Sequence, residues 1–465
     1  MQGVVDREFQ LQLPVVLRAD GGKAVGDGLE AGRLQNPFPG GTALVPALGQ
    51  LHRDGRVLFV ARMVRMFGYG FLAVVLVLYL AALGLDEARI GLLLTLTLVG
   101  DTAISLWMST QADRLGRRRM LVLGALLVLG AGLVFIGSGQ FIVLLLAATI
   151  GVISPSGYEV GPFLAIEQSA LSQLVPDERR TGVFAWYNFA GSLATAVGSL
   201  AGGGLARLGQ QWGMTPLASY RVVLVGYALV GLVLAWLFRR LSPAVEVRPA
   251  SPSPRAAPVS RLGLHRSGGV VLRLAGLFAV DAFAGGFILQ SIVAYWFYLR
   301  FGANEAMLGM IFFGANLLAG VSSLAASAIA SRIGLVNTMV FTHLPSNILL
   351  MLVPLMPTLP LAILVLLIRF SISQMDVPTR QSYTMAIVRP EERSAAAGVT
   401  GTARTVGASL APVCAGLLLG SPALMSGLFF VAGGLKIVYD LLLLAAFRSV
   451  KPPEERDQEK AGRRA

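Results

Sequence analysis

The feature that most constrains this chain is a succession of apolar runs, each long enough to cross a bilayer, that continues from residue 57 to residue 447. The runs fall at roughly 57–83, 90–109, 119–137, 141–166, 181–206 and 220–238, and again at 271–299, 306–330, 334–357, 360–385, 394–418 and 423–447. A hydrocarbon core of about 30 Å takes about 20 residues of helix to cross. Inside it every backbone polar group must find its partner within the protein, which leaves helices and closed barrels, and runs of this length are helices. The expected class is therefore an all-α membrane protein with twelve transmembrane helices, six in each half. Composition agrees: 55% of the residues are hydrophobic and 14% are charged, and mean hydropathy is +0.70. Those values exclude a soluble, disordered or collagen-like chain.

Between and around the runs the chain divides into a polar, Gly-rich tail over 1–56, expected to be cytoplasmic and disordered, a first bundle over 57–240, a linker over 241–270, a second bundle over 271–447 and a tail over 448–465. Nothing before Arg56 is needed by the first span, so an over-extended start is an alternative reading of the tail. The net charge of +13 would suggest nucleic acid in a soluble protein, yet only four of the 38 basic residues are lysines and most arginines sit in short loops or tails. Loop arginines are retained on the cytoplasmic side. Arg114, Arg117, Arg118, Arg119, Arg179, Arg180, Arg332, Arg389 and Arg393 mark one face, against Arg89, Arg207, Arg221 and Arg300 on the other. Both termini are expected in the cytoplasm, the protein in the inner (plasma) membrane as a multi-pass monomer, and no nucleic acid as partner. The single cysteine, Cys414, excludes an internal disulfide.

The two halves repeat one another. A shift of 218 superposes Gly84, Glu87, Gly91, Arg114 and Gly116 on Gly302, Glu305, Gly309, Arg332 and Gly334. Further on, QSALSQLVPDERR matches QSYTMAIVRPEERS with one inserted residue, pairing Gln168 with Gln381 and Pro176 with Pro390. Six spans per half place both copies in the membrane in the same direction, related by an axis along its normal, with the solute site expected near the midplane between them.

After the second span comes STQADRLGRRRM. It resembles the signature loop of the major facilitator superfamily, G-x-x-x-D-R/K-x-G-R/K-R/K: Asp113, Arg114, Gly116, Arg117 and Arg118 match, and Ser109 stands in place of the first glycine. The second copy keeps Arg332 and Gly334 but has Ser331 for the acid. The resemblance runs from about 57 to 450 and implies two pseudo-symmetric six-helix bundles. It also implies a loop that holds the outward-facing state by touching the other half near the start of the eleventh span. Asp113, Arg114, Gly116, Arg117 and Arg118, with Glu167 and Arg380, are accordingly the expected conformational gate. A row in the eleventh span, Gly398, Gly407, Ala411, Pro412, Ala415 and Gly416, resembles the antiporter signature with two glycines changed to alanine. Its equivalent in the fifth span, Ala185, Ala194, Gly198, Ser199, Gly202 and Gly203, lacks the proline. Small residues let helices approach closely and slide, so packing alone also accounts for these rows.

An ionisable side chain at the bilayer centre costs about 2.5 to 3.5 kcal/mol on insertion scales. Spans three, six and nine carry no Asp, Glu, Lys or Arg in their interiors, whereas spans one, four, seven and ten hold Arg62, Arg65, Glu159, Asp281, Arg369, Asp376 and Arg380. The resemblance implies that those four helices line the central cavity. Read as one continuous helix at about 100° per residue, span ten puts Arg369, Asp376 and Arg380 within roughly 20° of one stripe, with Ser373 nearby. Pro155, Gly157, Gly161 and Pro162 surround Glu159, which predicts a broken or kinked fourth span. Glu159, Asp281 and Asp376 are the expected proton-coupling carboxylates, with Asp101 ranked below them. Arg65, Tyr69, Arg369, Ser373 and Arg404 are the expected substrate-cavity residues. Arg62 and Arg65 are read as snorkelling, with a mouth-closing pair to Asp281 as the alternative. Lys436 and Asp440, one turn apart, are expected to satisfy each other. His343 and Asn347 are expected to be satisfied packing groups.

The expectation is a secondary transporter of a small organic solute, coupled to protons or another ion, working by alternating access without a cofactor. The sequence resembles the drug and solute antiporter-like bacterial branch of that superfamily, which implies efflux as the slightly favoured direction. Uptake of a small organic anion by symport, or a non-transporting sensor of the same fold, are the alternatives. No G-x-x-x-x-G-K-S/T loop supports a primary pump, and His52, His265 and His343 are too scattered for an enzyme's triad or metal set.

Overall fold

The computed structural model describes residues 52–159, 161–175, 177–246, 267–389 and 392–450, without the side chains of 177–182, 327 and 394. The terminal tail up to residue 51, the linker over 247–266, the last tail over 451–465 and the repeat positions Pro176 and Pro390 lie outside the described residues. Helix begins at Arg53, a turn earlier than the apolar pattern predicts, because His52 accepts the backbone N–H of Asp54 at 3.3 Å and so caps the first turn.

All regular structure among the described residues is helical. Ten helices are long and apolar enough to cross a membrane, and an eleventh span is the pair Arg53–Ala73 and Leu76–Ala82, bent by 41°. The remaining expected span, the fourth, is two short helices, Phe141–Ile150 and Phe163–Leu174, separated by the Pro- and Gly-rich stretch. Breaks also divide span seven into Gly268–Gly286 and Gln290–Phe301, and span ten into Leu359–Ile372 and Asp376–Ala386. The four interrupted spans, one, four, seven and ten, are those of Arg62, Arg65, Glu159, Asp281, Arg369, Asp376 and Arg380. Interrupted helices leave backbone groups that must face protein or water rather than lipid, so these spans belong to an interior crevice.

Duplicated turn chemistry sets the ends of equivalent helices. Asp86 accepts the N–H of Arg89 at 2.8 Å, and its repeat counterpart Asn304 accepts that of Met307 at 3.0 Å. Gly84 and Gly302 take φ of +83° and +64°, Gly116 and Gly334 +103° and +85°, conformations that a side chain would strain. The halves meet through small residues. A Cβ on Gly203 would lie 2.1 Å from the carbonyl oxygen of Glu305, and one on Gly416 would lie 2.3 Å from that of Glu87. Spans five and eight, and spans eleven and two, therefore touch backbone to backbone at the end opposite the Asp113 loop, called here the far end.

Candidate functional site

In the first half, Arg65 on span one and Glu167 on span four are fully buried and joined by a two-pronged pair, with Nη1 donating to Oε1 at 2.6 Å and Nη2 to Oε2 at 2.7 Å. The Nε of Arg65 donates to Glu159 at 2.8 Å, and Arg62 donates to the other Glu159 oxygen at 2.7 Å and to Asn188 at 3.2 Å. The Tyr187 hydroxyl donates to Glu167, and the Arg62 guanidinium lies 4.4 Å from the centre of the Tyr187 ring. Phe163 receives Arg65 in the same way at 4.7 Å. Two arginines thus meet two glutamates with the planar geometry that guanidinium and carboxylate share. The snorkelling expected of Arg62 and Arg65, and the alternative contact with Asp281, do not occur, because Glu159 and Glu167 supply nearer partners within the same half. Glu167, expected at the gate, lies instead in this buried set. Tyr69 is buried one turn beyond Arg65.

The second half is built around one carboxylate. Asp281 on span seven accepts from Lys436 at 2.6 Å, Arg404 at 3.0 Å and Arg380 at 3.3 Å, and the Nε2 of His343 stands 3.9 Å away. Arg380 also reaches Asp376 at 2.7 Å. Asp440 pairs with the Nδ1 of His343 at 2.8 Å and accepts from Asn347 at 2.9 Å. The expected Lys436 to Asp440 pair is replaced by these contacts: Lys436 points across to span seven, leaving Asp440 to the ninth span. His343 and the Asn347 amide nitrogen are engaged by Asp440 and belong to the network, while the Asn347 Oδ1 is buried without a hydrogen-bond partner among the described residues.

Arg369 stands outside both sets. It is 7% exposed, its Nε has no hydrogen-bond partner, and no described residue forms an ion pair with it. The single stripe expected for Arg369, Asp376 and Arg380 fails because the helix stops at Ile372. Pro378 lacks the N–H that would bond to the carbonyl of Gln374, and its ring crowds that carbonyl. Asp376 then begins a new helix and turns to Arg380. Ser373, at the break, is buried with its Oγ unpartnered. Arg404 is one-third exposed, so its second face remains open.

Asp101, ranked low from the sequence, is buried in span two with Oδ1 lacking a hydrogen-bond partner among the described residues. Glu159, Asp281 and Asp376 by contrast are each paired with arginine or lysine. Among the described residues no group of three or more His, Cys, Asp or Glu is placed to hold a metal ion.

At the Asp113 loop, Arg117 is buried and donates from Nε to the exposed Asp113 at 3.0 Å and from Nη1 to the Val245 carbonyl at 3.3 Å. Glu246, at the start of the linker, accepts the backbone N–H of Arg117 at 2.7 Å and of Arg118 at 3.2 Å. These contacts of the loop stay within the first half and its linker. Gly398, at the loop end of the eleventh span's small-residue row, has open space where a Cβ would stand, while Gly416 at the other end is pressed against span two. Hydrogen bonds across the halves gather at the far end and midplane: Tyr295 donates to Glu87 at 3.0 Å, Tyr220 and Gln210 to Glu305 at 2.5 and 2.8 Å, and Gln290 to Ser199 at 3.1 Å.

The family model described as Major Facilitator Superfamily matches residues 58–410 and also 282–465. The uncharacterized membrane protein YJR124C of Saccharomyces cerevisiae is 32% identical over 425 residues, which cover 86% of this chain and 95% of that protein. Among solved structures, the nucleoside transporter NupG is similar with a TM-score of 0.65 at 15% identity, covering 85% of this chain and 99% of that one. The D-xylose-proton symporter is similar with a TM-score of 0.65 at 14% identity, covering 84% and 96%. At such identities the structures speak for the fold, while the sequence matches carry the kinship. This multi-pass membrane protein belongs to the Major Facilitator Superfamily.

Proposed function

We propose that the protein moves a small organic solute across the membrane by alternating access, coupled to a proton, with export by antiport the favoured direction. The observation that carries this reading is the pair of buried ionic sets on the interrupted spans. Buried ion pairs seldom add stability over an apolar core, so their presence on cavity helices points to use in a cycle. On the topology expected from the arginine loops, the Asp113 loop lies in the cytoplasm of a plasma-membrane protein, and the close contacts between the halves at Gly203 and Gly416 lie towards the outside. That arrangement suits the loop's present contacts: a loop that secures the outward-facing form would release the eleventh span when the protein faces inward. Glu159, Asp281 and Asp376 are the proposed coupling carboxylates. Protonating any of them would free a basic partner to seek another, which is how a proton could alter the balance between states. Asp101 joins them because its Oδ1 is buried without a hydrogen-bond partner among the described residues. Export is favoured by the small-residue row with Pro412 in the eleventh span. Uptake of an organic anion is the second reading, favoured by the solitary Arg369.

The test is flux into proteoliposomes under an imposed pH gradient, run over a panel of neutral, anionic and cationic organic solutes. Accumulation that collapses with a protonophore is expected for the wild type. Unchanged coupled flux in the triple variant Glu159→Gln, Asp281→Asn, Asp376→Asn would remove those residues from the coupling role. Binding without flux for every solute would favour the sensor alternative.

A further inference from the structure

We propose that Arg369 is the recognition point for the anionic head, a carboxylate or phosphate, of an organic solute with a flat apolar body. The inference deepens the transport reading and rests on it only for the fate of the bound molecule. Three observations converge. First, Arg369 is more than nine-tenths buried at midmembrane depth, yet its Nε has no partner and no described carboxylate pairs with it, although every other buried arginine on spans one and ten has one. Second, it lines a cavity between the halves with Tyr158, Gln290, Phe312, Leu366 and Phe370. One cation and one amide among aromatic and aliphatic walls is the make-up of a site for an apolar molecule fixed by a single charged head. Third, Ser373, one turn along on the same face, is buried with an unpartnered Oγ beside the helix break.

A competing explanation is that Arg369 merely complements the negative end of its own helix, whose last turn it occupies. That interaction is available to any cation and leaves the guanidinium's donors unfilled, whereas an oxyanion would accept two of them in parallel. The Phe370 ring, 4.9 Å from the guanidinium carbon, covers one face of it and leaves the edge to a ligand. The cavity now measures about 30 Å³, room for about two water-sized groups, so a solute enters it, with its body along the aromatic walls, only as the halves part.

The experiment is thermal unfolding of the full chain in neutral detergent, with benzoate and glutarate as carboxylates, inorganic phosphate and glycerol 3-phosphate as phosphates, and benzamide, glutaramide and glycerol as uncharged counterparts. A concentration-dependent rise in melting temperature with carboxylates, phosphates or both, absent with the counterparts, is expected, and the class that acts names the head group. In Arg369→Gln the apparent affinity should fall about tenfold or more, and Arg369→Lys should keep part of it. Unliganded Arg369→Gln should melt no lower than the wild type. A rise equal for charged and uncharged molecules, a rise retained in Arg369→Gln, no rise with any anion, or an unliganded Arg369→Gln that melts several degrees lower would each overturn the assignment. Flux of the active anion separates the two claims. Anion binding without flux leaves Arg369 in place and removes transport. Flux of an uncharged solute, indifferent to Arg369→Gln, does the reverse.

Discussion

The two halves hold charge between the same pair of helices but with the signs exchanged. In the first half the arginine is on the first span and the carboxylate on the fourth, Arg65 with Glu167; in the second the carboxylate is on the seventh and the arginine on the tenth, Asp281 with Arg380. Glu167 and Arg380 are themselves equivalent, since they immediately precede the matched Gln168 and Gln381. Duplication has conserved the place of the pair and reversed its polarity. The consequences differ. The first set is closed, two arginines on two glutamates in nearly ideal geometry. The second is shared, with Lys436, Arg404, Arg380 and His343 all facing one carboxylate. A closed set behaves as a hinge pin; a shared one can trade partners.

The largest expected effect breaks the shared set. Asp281→Asn leaves Lys436 and Arg380 buried with one carboxylate fewer, and removing one member of a buried ionic group costs about 3 to 5 kcal/mol. The melting temperature of the detergent-solubilised chain should fall accordingly, and no single further neutralisation should restore it, because several cations lost the same partner. Full recovery in Asp281→Asn, Lys436→Met would contradict the shared arrangement.

The closed set should respond differently. Arg65→Met alone is expected to cost about 3 to 5 kcal/mol, because Glu167 is left buried with only Tyr187 to donate to it. Combined with Glu167→Gln it should recover much of that loss, giving a coupling energy of about 1 to 3 kcal/mol in a double-mutant cycle. Additive losses would mean that Tyr187, rather than Arg65, satisfies Glu167.

Much of this contrast was beyond reach of the sequence, for identifiable reasons. The turns were legible because Gly84, Gly116, Gly302 and Gly334 recur at one offset, and glycine is what positive φ requires. The break of span four was legible from its prolines and glycines. The break of span ten has its signal in Pro378, but the apolar run around it reads as one helix. The charged residues themselves stood out by their cost in lipid. Their partners did not: Arg65 to Glu167 and Asp281 to Lys436 are separated by 102 and 155 residues, and spacing along one helix, which suggested Lys436 with Asp440, says nothing about what crosses between helices. The solitude of Arg369 is equally invisible until every other charge is placed.

A smaller effect tests where the halves are alike. Gly203→Ala and Gly416→Ala each press a methyl group into a facing backbone carbonyl, at 2.1 and 2.3 Å. Overpacking of this kind costs about 1 to 3 kcal/mol, charged here to the far-end-closed state. Distances between spin labels across the far end should lengthen in both variants by comparable amounts, since the two contacts are repeats of one another. A response from one glycine only would show that the halves differ in packing as well as in charge.

The smallest effect concerns the loops. Asp113 is 62% exposed, so its pair with Arg117 is screened, and Asp113→Asn should change stability by no more than about 0.5 kcal/mol. Glu246→Gln should cost more, about 0.3 to 1 kcal/mol, because its carboxylate closes two open N–H groups at a helix start where negative charge is favoured. The second loop offers the control. Ser331 occupies the position of Asp113, but Leu335 stands where Arg117 would have to be, and Ser331 is exposed. Ser331→Asp should therefore leave the melting temperature unchanged within error, whereas Ser331→Asp with Leu335→Arg should recreate the first loop's contact. If Ser331→Asp alone stabilised the protein as much as Asp113 does, the acid would be acting on the helix end by itself and Arg117 would be incidental to the first loop.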